Sequence, residues 1–375
     1  MANILVLGGG FGGVVAAEAL AKDLGREHQI TLISRDTRFT FYPALVRLAF
    51  GGCEPDDISY DIQEAMLDRR VRFIKSEVAR VDPYERRVRL AHGDVVGQVP
   101  YDYLIYALGR RLATELVPGF FEHAHHLLNV EAALKFGEAA KDFSKGQAVI
   151  GYCPGTRLAV PVYETAFALS RMLEERGQRE HTTITIISPE PASDRLGGRV
   201  MGKALRDALD AHYIAFMPEF PISRVTSDYV WTSSGMRYGF DLLMLVPPFH
   251  GASAFNHHEL IDEDGFIRVD RRMRVQGVER MYAVGDAVSF EGPKMGHMAV
   301  RQAEVAAANL IAEIEGREPH RTYEHELMLV IDEGGPNSIY LHKELWKDDP
   351  GTVRQGRFWQ WAKWAHEKYW EYQHS

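Results

Sequence analysis

Residues 3–20 read NILVLGGGFGGVVAAEAL. Asn3 to Leu7 has the apolar run of a short buried strand, the glycines follow at once, and Val14 to Lys22 has the composition of a helix. Gln29 to Ser34, QITLIS, is a second strand, so the chain opens on a βαβ unit. Gly8, Gly10 and Gly13 fit G-x-G-x-x-G between strand and helix. The first glycine closes the turn, the second lets backbone approach a pyrophosphate, and the third packs helix on strand. The helix N-terminus then presents its positive dipole end to the phosphates. In this register the stretch predicts a bound dinucleotide. Where an acidic residue usually holds a ribose hydroxyl, the chain has Ser34, Arg35 and Asp36. Ser34 or Arg35 is the ribose candidate, and plain turn residues are the alternative.

Outward from this unit, Val71 to Val81 and Arg86 to Leu90 read as strands around Asp82-Pro83, and Tyr103 to Ala107 as a buried strand ending at Gly109. A second strand, turn and helix begin at Ala148 to Gly151, with the helix over Pro161 to Arg176 and the next strand at Thr183 to Ser188. Asp241 to Val246 and Arg280 to Val284 are further core strands, and Met298 to Glu315 is a helix. The chain thus reads as α/β: two Rossmann-like dinucleotide-binding domains, the second inserted in the first, plus a C-terminal amphipathic helical tail. Residues 1–112 and 246–315 form the first domain, 113–245 the second, and 316–375 the C-terminal region.

The bulk properties agree with this reading. The 375 residues suffice for two domains, and 46% hydrophobic with 25% charged residues is ordinary for a globular chain. A net charge of −9 argues against nucleic acid as partner. Two cysteines, Cys53 and Cys153, exclude a disulfide scaffold and point to a reducing cytosol. The apolar start runs straight into a glycine turn, so no signal peptide is expected. No apolar run is long enough to span a membrane, whereas a helix lying on one is compatible with the sequence.

Six further patches carry a resemblance: TLISRDTRFTFYPALVRLAFG (31–51), YDYLIYALG (101–109), FDLLMLVPPFHG (240–251), DEDGFIRVD (262–270), MYAVGDAV (281–288) and GPKMGHM (292–298). In this order the chain resembles the sulfide:quinone oxidoreductase and flavocytochrome c sulfide dehydrogenase group, kin of the type II NADH dehydrogenases in the pyridine nucleotide-disulfide oxidoreductase superfamily. The resemblance implies FAD in the first domain, at Gly8, Gly10, Phe11, Gly12 and Gly13. It also implies Pro43 beside the flavin ring, Val78 at the adenine, Ala107 and Gly109 along the flavin phosphates, and Gly285-Asp286 as the second FAD motif. Lys294 would lie at the flavin's pyrimidine edge and the quinone pocket, where a cation stabilises an anionic reduced flavin. The plainer alternatives are a helix cap at Gly285-Asp286 and a solvated charge at Lys294.

The chain departs from that group where the donor is oxidised. Sulfide oxidation there uses two cysteines; the first of these positions falls on Leu158, and no cysteine follows Cys153. Cys153 lies in the second turn, where a helix dipole can lower a thiol pKa, and is a candidate redox group. Cys53 could join it only if the fold brought the two together; otherwise both are ordinary thiols. The same turn tests NADH as donor, because Cys153 occupies the middle-glycine place and obstructs a pyrophosphate. Glu164 matches a glutamate near the flavin and can move protons; a helix-surface charge is the alternative.

In the tail, Arg357 to Tyr372 reads RFWQWAKWAHEKYWEY and carries four of the six tryptophans. Gln360, Lys363, Glu367 and Glu371 share one helical face; Phe358, Trp361, Ala362, Ala365, Tyr369 and Tyr372 share the other. An aromatic face of this kind suits a membrane interface; packing on the chain's own core, or on a second subunit in a homodimer, is the alternative. His297 neighbours Lys294 and is a candidate proton donor to a quinone. His125-His126 and His257-His258 lack metal-ligand spacing, and no metal is expected. The expected function is an FAD-dependent oxidoreductase, peripheral on the inner face of the cell membrane, with Cys153, Glu164, Lys294 and His297 as catalytic candidates. It would carry two electrons from a donor to a quinone. Sulfide or another sulfur species is the favoured donor. NADH and a flavocytochrome-like electron-transfer subunit are the other readings.

Overall fold

The computed structural model of the chain describes residues 1–190, 198–255 and 257–375. The opening βαβ unit forms as read: β1 is Asn3–Leu7, α1 Phe11–Asp23 and β2 Gln29–Ser34. After a short helix, Leu45–Ala49, the chain runs through β3 (Arg72–Asp82), β4 (Arg87–Gly93), β5 (Gly97–Pro100) and β6 (Tyr103–Tyr106). These strands and Met281–Ala283, which returns from late in the sequence, make one seven-stranded sheet. Its order is Met281–Ala283, β6, β1, β2, β3, β4, β5. The first five strands are parallel, and β4 and β5 extend the sheet as an antiparallel meander. The parallel strands β1 and β6 are buried along nearly their whole length, as a sheet covered on both faces requires.

The second unit repeats this topology. β7 (Gly146–Tyr152) leads through a turn to α2 (Val160–Glu175), then to β8 (Thr182–Ile187), α3 (Arg199–Ala211) and β9 (Ala215–Met217). With β10 (Leu242–Val246) these strands form an all-parallel sheet in the order β9, β8, β7, β10. The chain then closes the first sheet at Met281–Ala283 and enters the long helix α4 (Gly296–Ile314), which packs along α1.

The sequence pattern gave no sign of the next element, an antiparallel sheet of β11 (Glu326–Asp332), β12 (Ser338–Glu344) and β13 (Thr352–Gln355). The tail forms α5, Arg357–His374, lying on this sheet. Among the described residues no helix is long and apolar enough to cross a membrane.

Candidate functional site

The glycine turn is built by close packing. Gly8 has φ +106°, and a Cβ there would stand 2.2 Å from the Ala107 carbonyl oxygen; a Cβ on Gly13 would stand 1.8 Å from that of Gly8. At Gly10, by contrast, a Cβ would meet nothing within 4 Å. The turn is therefore tight on its protein side and open on the other, as a phosphate cradle must be. Gly10 is the N-cap of α1 and supplies no capping side chain, so the first N–H groups of the helix point outward unclaimed. The N-terminus of α4 is likewise without a side-chain cap, and it abuts the same place: a Cβ on Gly296 would touch the Phe11 ring at 3.2 Å. Two uncapped helix N-termini thus converge beside the turn, an arrangement that fits an anionic dinucleotide such as FAD. Ser34 is buried with its hydroxyl against Gly9, whereas Arg35 is exposed and pairs with Asp36 at 3.3 Å.

Some of the other residues of the first-domain patches lie against the turn or line one pocket. Ala107 lies against Gly8, and Gly109 turns the chain at φ +68°. Gly285 follows the last parallel strand, and its N–H donates to Gln302 Oε1 of α4 at 2.7 Å. Pro43 is exposed in the turn Tyr42–Ala44, and Val78 lies on β3 opposite Leu90. Asp286 is ion-paired with Arg110, whose guanidinium lies 4.0 Å from the centre of the Phe249 ring. The buried Nε of Arg110 has no partner within the protein, a further sign that a polar group belongs there. Arg110 was missed in the sequence because its role depends on Asp286, far along the chain; only its place after Gly109 could have signalled it. Lys294 is buried, its Nζ donating to the Val288 carbonyl and standing 4.2 Å from the centre of the Phe266 ring. Burial, with Arg157 close by, pulls its pKa down to about 7.

The second turn is differently made. The Cys153 N–H donates to the Val246 carbonyl at 2.9 Å, and the Thr156 hydroxyl is spent on the Val246 and Pro247 carbonyls. Helix α2 starts only at Val160, and Pro161 in its first turn brings no N–H. The expectation of a reactive Cys153 is corrected here. The thiol does not sit on a helix N-terminus; it is buried among Val117, Phe120, Ile187 and Leu245, and burial pushes its pKa well up. Cys53 lies apart, half-buried against the other core cluster, and both thiols are free.

Glu164 is not a surface charge. It is buried, and its Oε1 accepts from the Asp332 N–H at 3.0 Å and from Lys363 of α5 at 2.5 Å. Burial raises its pKa against the pull of Lys363. Lys363 is a second residue that the sequence reading did not single out as a site partner. It belongs to a polar face of α5 turned inward: Glu367 pairs with Arg47 at 2.5 Å, and His374 with Glu18 at 2.5 Å. Trp370, on the same side, packs on Phe11 and Phe39 at centroid distances of 4.7 and 5.5 Å. The aromatic face, Phe358, Trp361, Trp364, Tyr369 and Tyr372, is bare to solvent. His297 Nε2 lies 3.1 Å from Glu326 O and 3.3 Å from Met328 N, so it is engaged with the β11 backbone in either tautomer. Among the described residues no cluster of His, Cys, Asp and Glu could hold a metal.

The comparisons with known proteins agree with this geometry. The family model of pyridine nucleotide-disulphide oxidoreductases matches residues 2–303. The chain is 31% identical to the sulfide-quinone reductase of Aquifex aeolicus over 206 residues, 54% of this chain and 47% of that one, so the match spans about half of that relative. It is 24% identical to the alternative NAD(P)H-ubiquinone oxidoreductase C1 of Arabidopsis thaliana, over 84% of this chain and 68% of that one. The solved sulfide:quinone oxidoreductase of Aquifex aeolicus superposes with a TM-score of 0.91 at 24% identity, covering 100% of this chain and 91% of that one, a likeness of fold. The glycine turn at Gly8 to Gly13, the two converging helix ends and the match over residues 2–303 together identify the chain as a member of the pyridine nucleotide-disulphide oxidoreductase family and an FAD-dependent oxidoreductase.

Proposed function

We propose that this oxidoreductase takes an electron pair from a small-molecule donor, a sulfur species by preference, and passes it through FAD to a membrane quinone. The observation that carries the quinone side is the bare aromatic face of α5. Polar residues of that helix are pinned inward by ion pairs, and Trp361, Trp364 and Tyr369 are left outward, each more than half exposed. Trp and Tyr on an exposed helical face suit the bilayer interface, where quinones reside, and would make the protein peripheral on the membrane. Relatives named for quinone or ubiquinone reduction support the same acceptor.

In this reading residues 1–112 and 246–315 hold FAD, and 113–245 form a second Rossmann-like unit that carries no nucleotide. Gly8, Gly10, Phe11, Gly12 and Gly13 hold the pyrophosphate with α1, and Ser34 a ribose hydroxyl. Pro43, Val78, Ala107, Gly109, Gly285 and Asp286 line the rest of the cofactor. FAD, when bound, supplies the two-electron relay. Lys294 offers a proton and positive charge at its edge, while Glu164, held by Lys363, is a buried proton carrier beside the tail. The second turn disfavours NADH, because the Cys153 and Thr156 N–H groups are already used and Pro161 has none to give. A two-cysteine sulfur relay is absent, so sulfide oxidation here would proceed without a protein persulfide.

The test is anaerobic stopped-flow of the FAD-loaded protein with sulfide and with NADH, followed by mixing with a quinone in liposomes. Fast bleaching by sulfide and reoxidation by the quinone are expected. Reoxidation only by a soluble cytochrome would instead favour an electron-transfer subunit.

A further inference from the structure

Lys294 is a buried lysine with no carboxylate bonded to its Nζ among the described residues. Asp286 is ion-paired with Arg110. Asp262 accepts from the backbone N–H groups of Asp264 and Phe266 at 3.1 and 2.8 Å, and Asp264 beside it accepts from Arg157 at 3.3 Å. Among the described residues Lys294 therefore has no ion-pair partner; its Nζ has the Val288 carbonyl and the Phe266 ring. Arg157 holds this arrangement at close range. Its guanidinium lies 4.8 Å from the centre of the same Phe266 ring and donates to the Phe290 carbonyl at 3.1 Å. Its own carbonyl accepts the Lys294 N–H at 2.8 Å. So the turn of the second unit, which in a nucleotide-binding fold would cradle a pyrophosphate, reaches back and ends against the lysine of the first.

We propose that Arg157 is a positioning residue for Lys294: its cation, set against the same Phe266 ring, opposes a charge on the lysine, so that Lys294 is an amine while the flavin is oxidised and takes up a proton when the flavin is reduced. The inference rests on the assignment of FAD to this site and of Lys294 to its edge. It does not depend on which donor or acceptor is used.

The electrostatics have a definite sign. The charged and titratable groups facing Lys294 are Arg157, Arg110, Asp286, Asp262 and His325. The two arginines push its proton off; the two aspartates hold it, and burial favours the neutral amine. A negative charge arriving on the cofactor restores the missing counter-ion and draws a proton in. The balance is complete: the donor supplies the electron pair, and solvent supplies one proton to the Lys294 amine and one to the reduced cofactor. A quinone takes back the pair and both protons. Above pH of about 7 the positive charge is thus present only in the reduced state.

The test is the midpoint potential of the FAD-loaded protein against pH, measured by dye-coupled reduction with no quinone and no physiological donor. Failure of the quinone reading would therefore leave it intact. Below pH of about 7, where Lys294 is already charged, one proton accompanies the electron pair; above it, two do. The slope should double as the pH rises through about 7. Titration of the flavin's own ring nitrogen gives a break of the opposite sense. Lys294→Met should show one slope throughout. Arg157→Gln removes a cation and frees Asp264, so the break should move to higher pH. Asp264→Asn leaves Arg157 unneutralised and should move it lower, which decides the matter if Arg157→Gln does not retain FAD. A single slope in the unaltered protein, or a break that neither variant moves, would overturn the proposal.

Discussion

At the scale of single residues, the chemistry of this chain turns on which polar groups are free and which are spent. Cys153 illustrates the second case. Its N–H is used and its thiol is sealed among apolar side chains, far from the thiolate a sulfur relay needs. Cys153→Ser should leave flavin reduction by sulfide within about twofold of the parent and destabilise the fold by about 1–3 kcal/mol, since a hydroxyl is buried without its own partner. Stopped-flow and thermal unfolding would read the two effects; a collapse of the sulfide rate would return the thiol to the mechanism. Lys363→Met tests a group in use. It leaves Glu164 buried with only the Asp332 N–H. A loss of about 2–3 kcal/mol is expected, less than for a fully buried pair because Lys363 keeps 25% of its exposure. Urea unfolding measures it, and Glu164→Gln in the Lys363→Met background should recover part of the loss. The glycines were legible because their spacing is itself the physical requirement. Arg110, Arg157 and Lys363 were not, because each matters through a partner more than a hundred positions away, and no local pattern encodes that.

At the scale of elements, the tail helix departs from the usual amphipathic rule. Gln360, Lys363 and Glu367 share a side, and Trp370 turns inward with them. The sequence could not say which side turns inward. Burial of the polar face is decided by complementary charges on other elements: Glu164 of α2, Arg47 of the short helix Leu45–Ala49 and Glu18 of α1. Trp370 completes the seat by covering Phe11 of the glycine turn. The two faces therefore have separable consequences. Replacing Trp361, Trp364 and Tyr369 by Ser should abolish sedimentation with liposomes while FAD stays bound, because the inward contacts are untouched. Trp370→Ala should do the reverse: about 3–5 kcal/mol less stability and faster loss of FAD, with lipid binding retained. Fluorescence of released flavin and vesicle sedimentation distinguish the two, and joint loss of both properties in either variant would refute the separation. The sheet β11 to β13, on which α5 rests, was invisible in the sequence because its strands carry mixed polar and apolar residues, although they pair as neighbours in an antiparallel meander.

At the scale of the whole molecule, one topology occurs twice with differently made turns. Both units run strand, turn, helix, strand in the same parallel order. In the first, Gly10 ends the turn and caps α1 at once, so free N–H groups are left at the open side of the turn. In the second, α2 begins only at Val160, the Cys153 N–H is bound to Val246, the Thr156 N–H to Cys153, and Pro161 has none to give. Tyr152 is fully buried, with its hydroxyl on Ser188 at the end of β8, the strand end that meets a ribose in a working site. Losing two charge-assisted bonds to a pyrophosphate, at about 1.5–3 kcal/mol each, removes about 3–6 kcal/mol of binding. That corresponds to an affinity lower by about a hundredfold or more. NADH at millimolar concentration should therefore leave the flavin oxidised on the timescale in which sulfide reduces it, and should not raise the melting temperature. Bleaching by NADH at a rate matching quinone turnover would mean that the second unit still binds its nucleotide by another route. The donor assignment would then pass to the NADH reading.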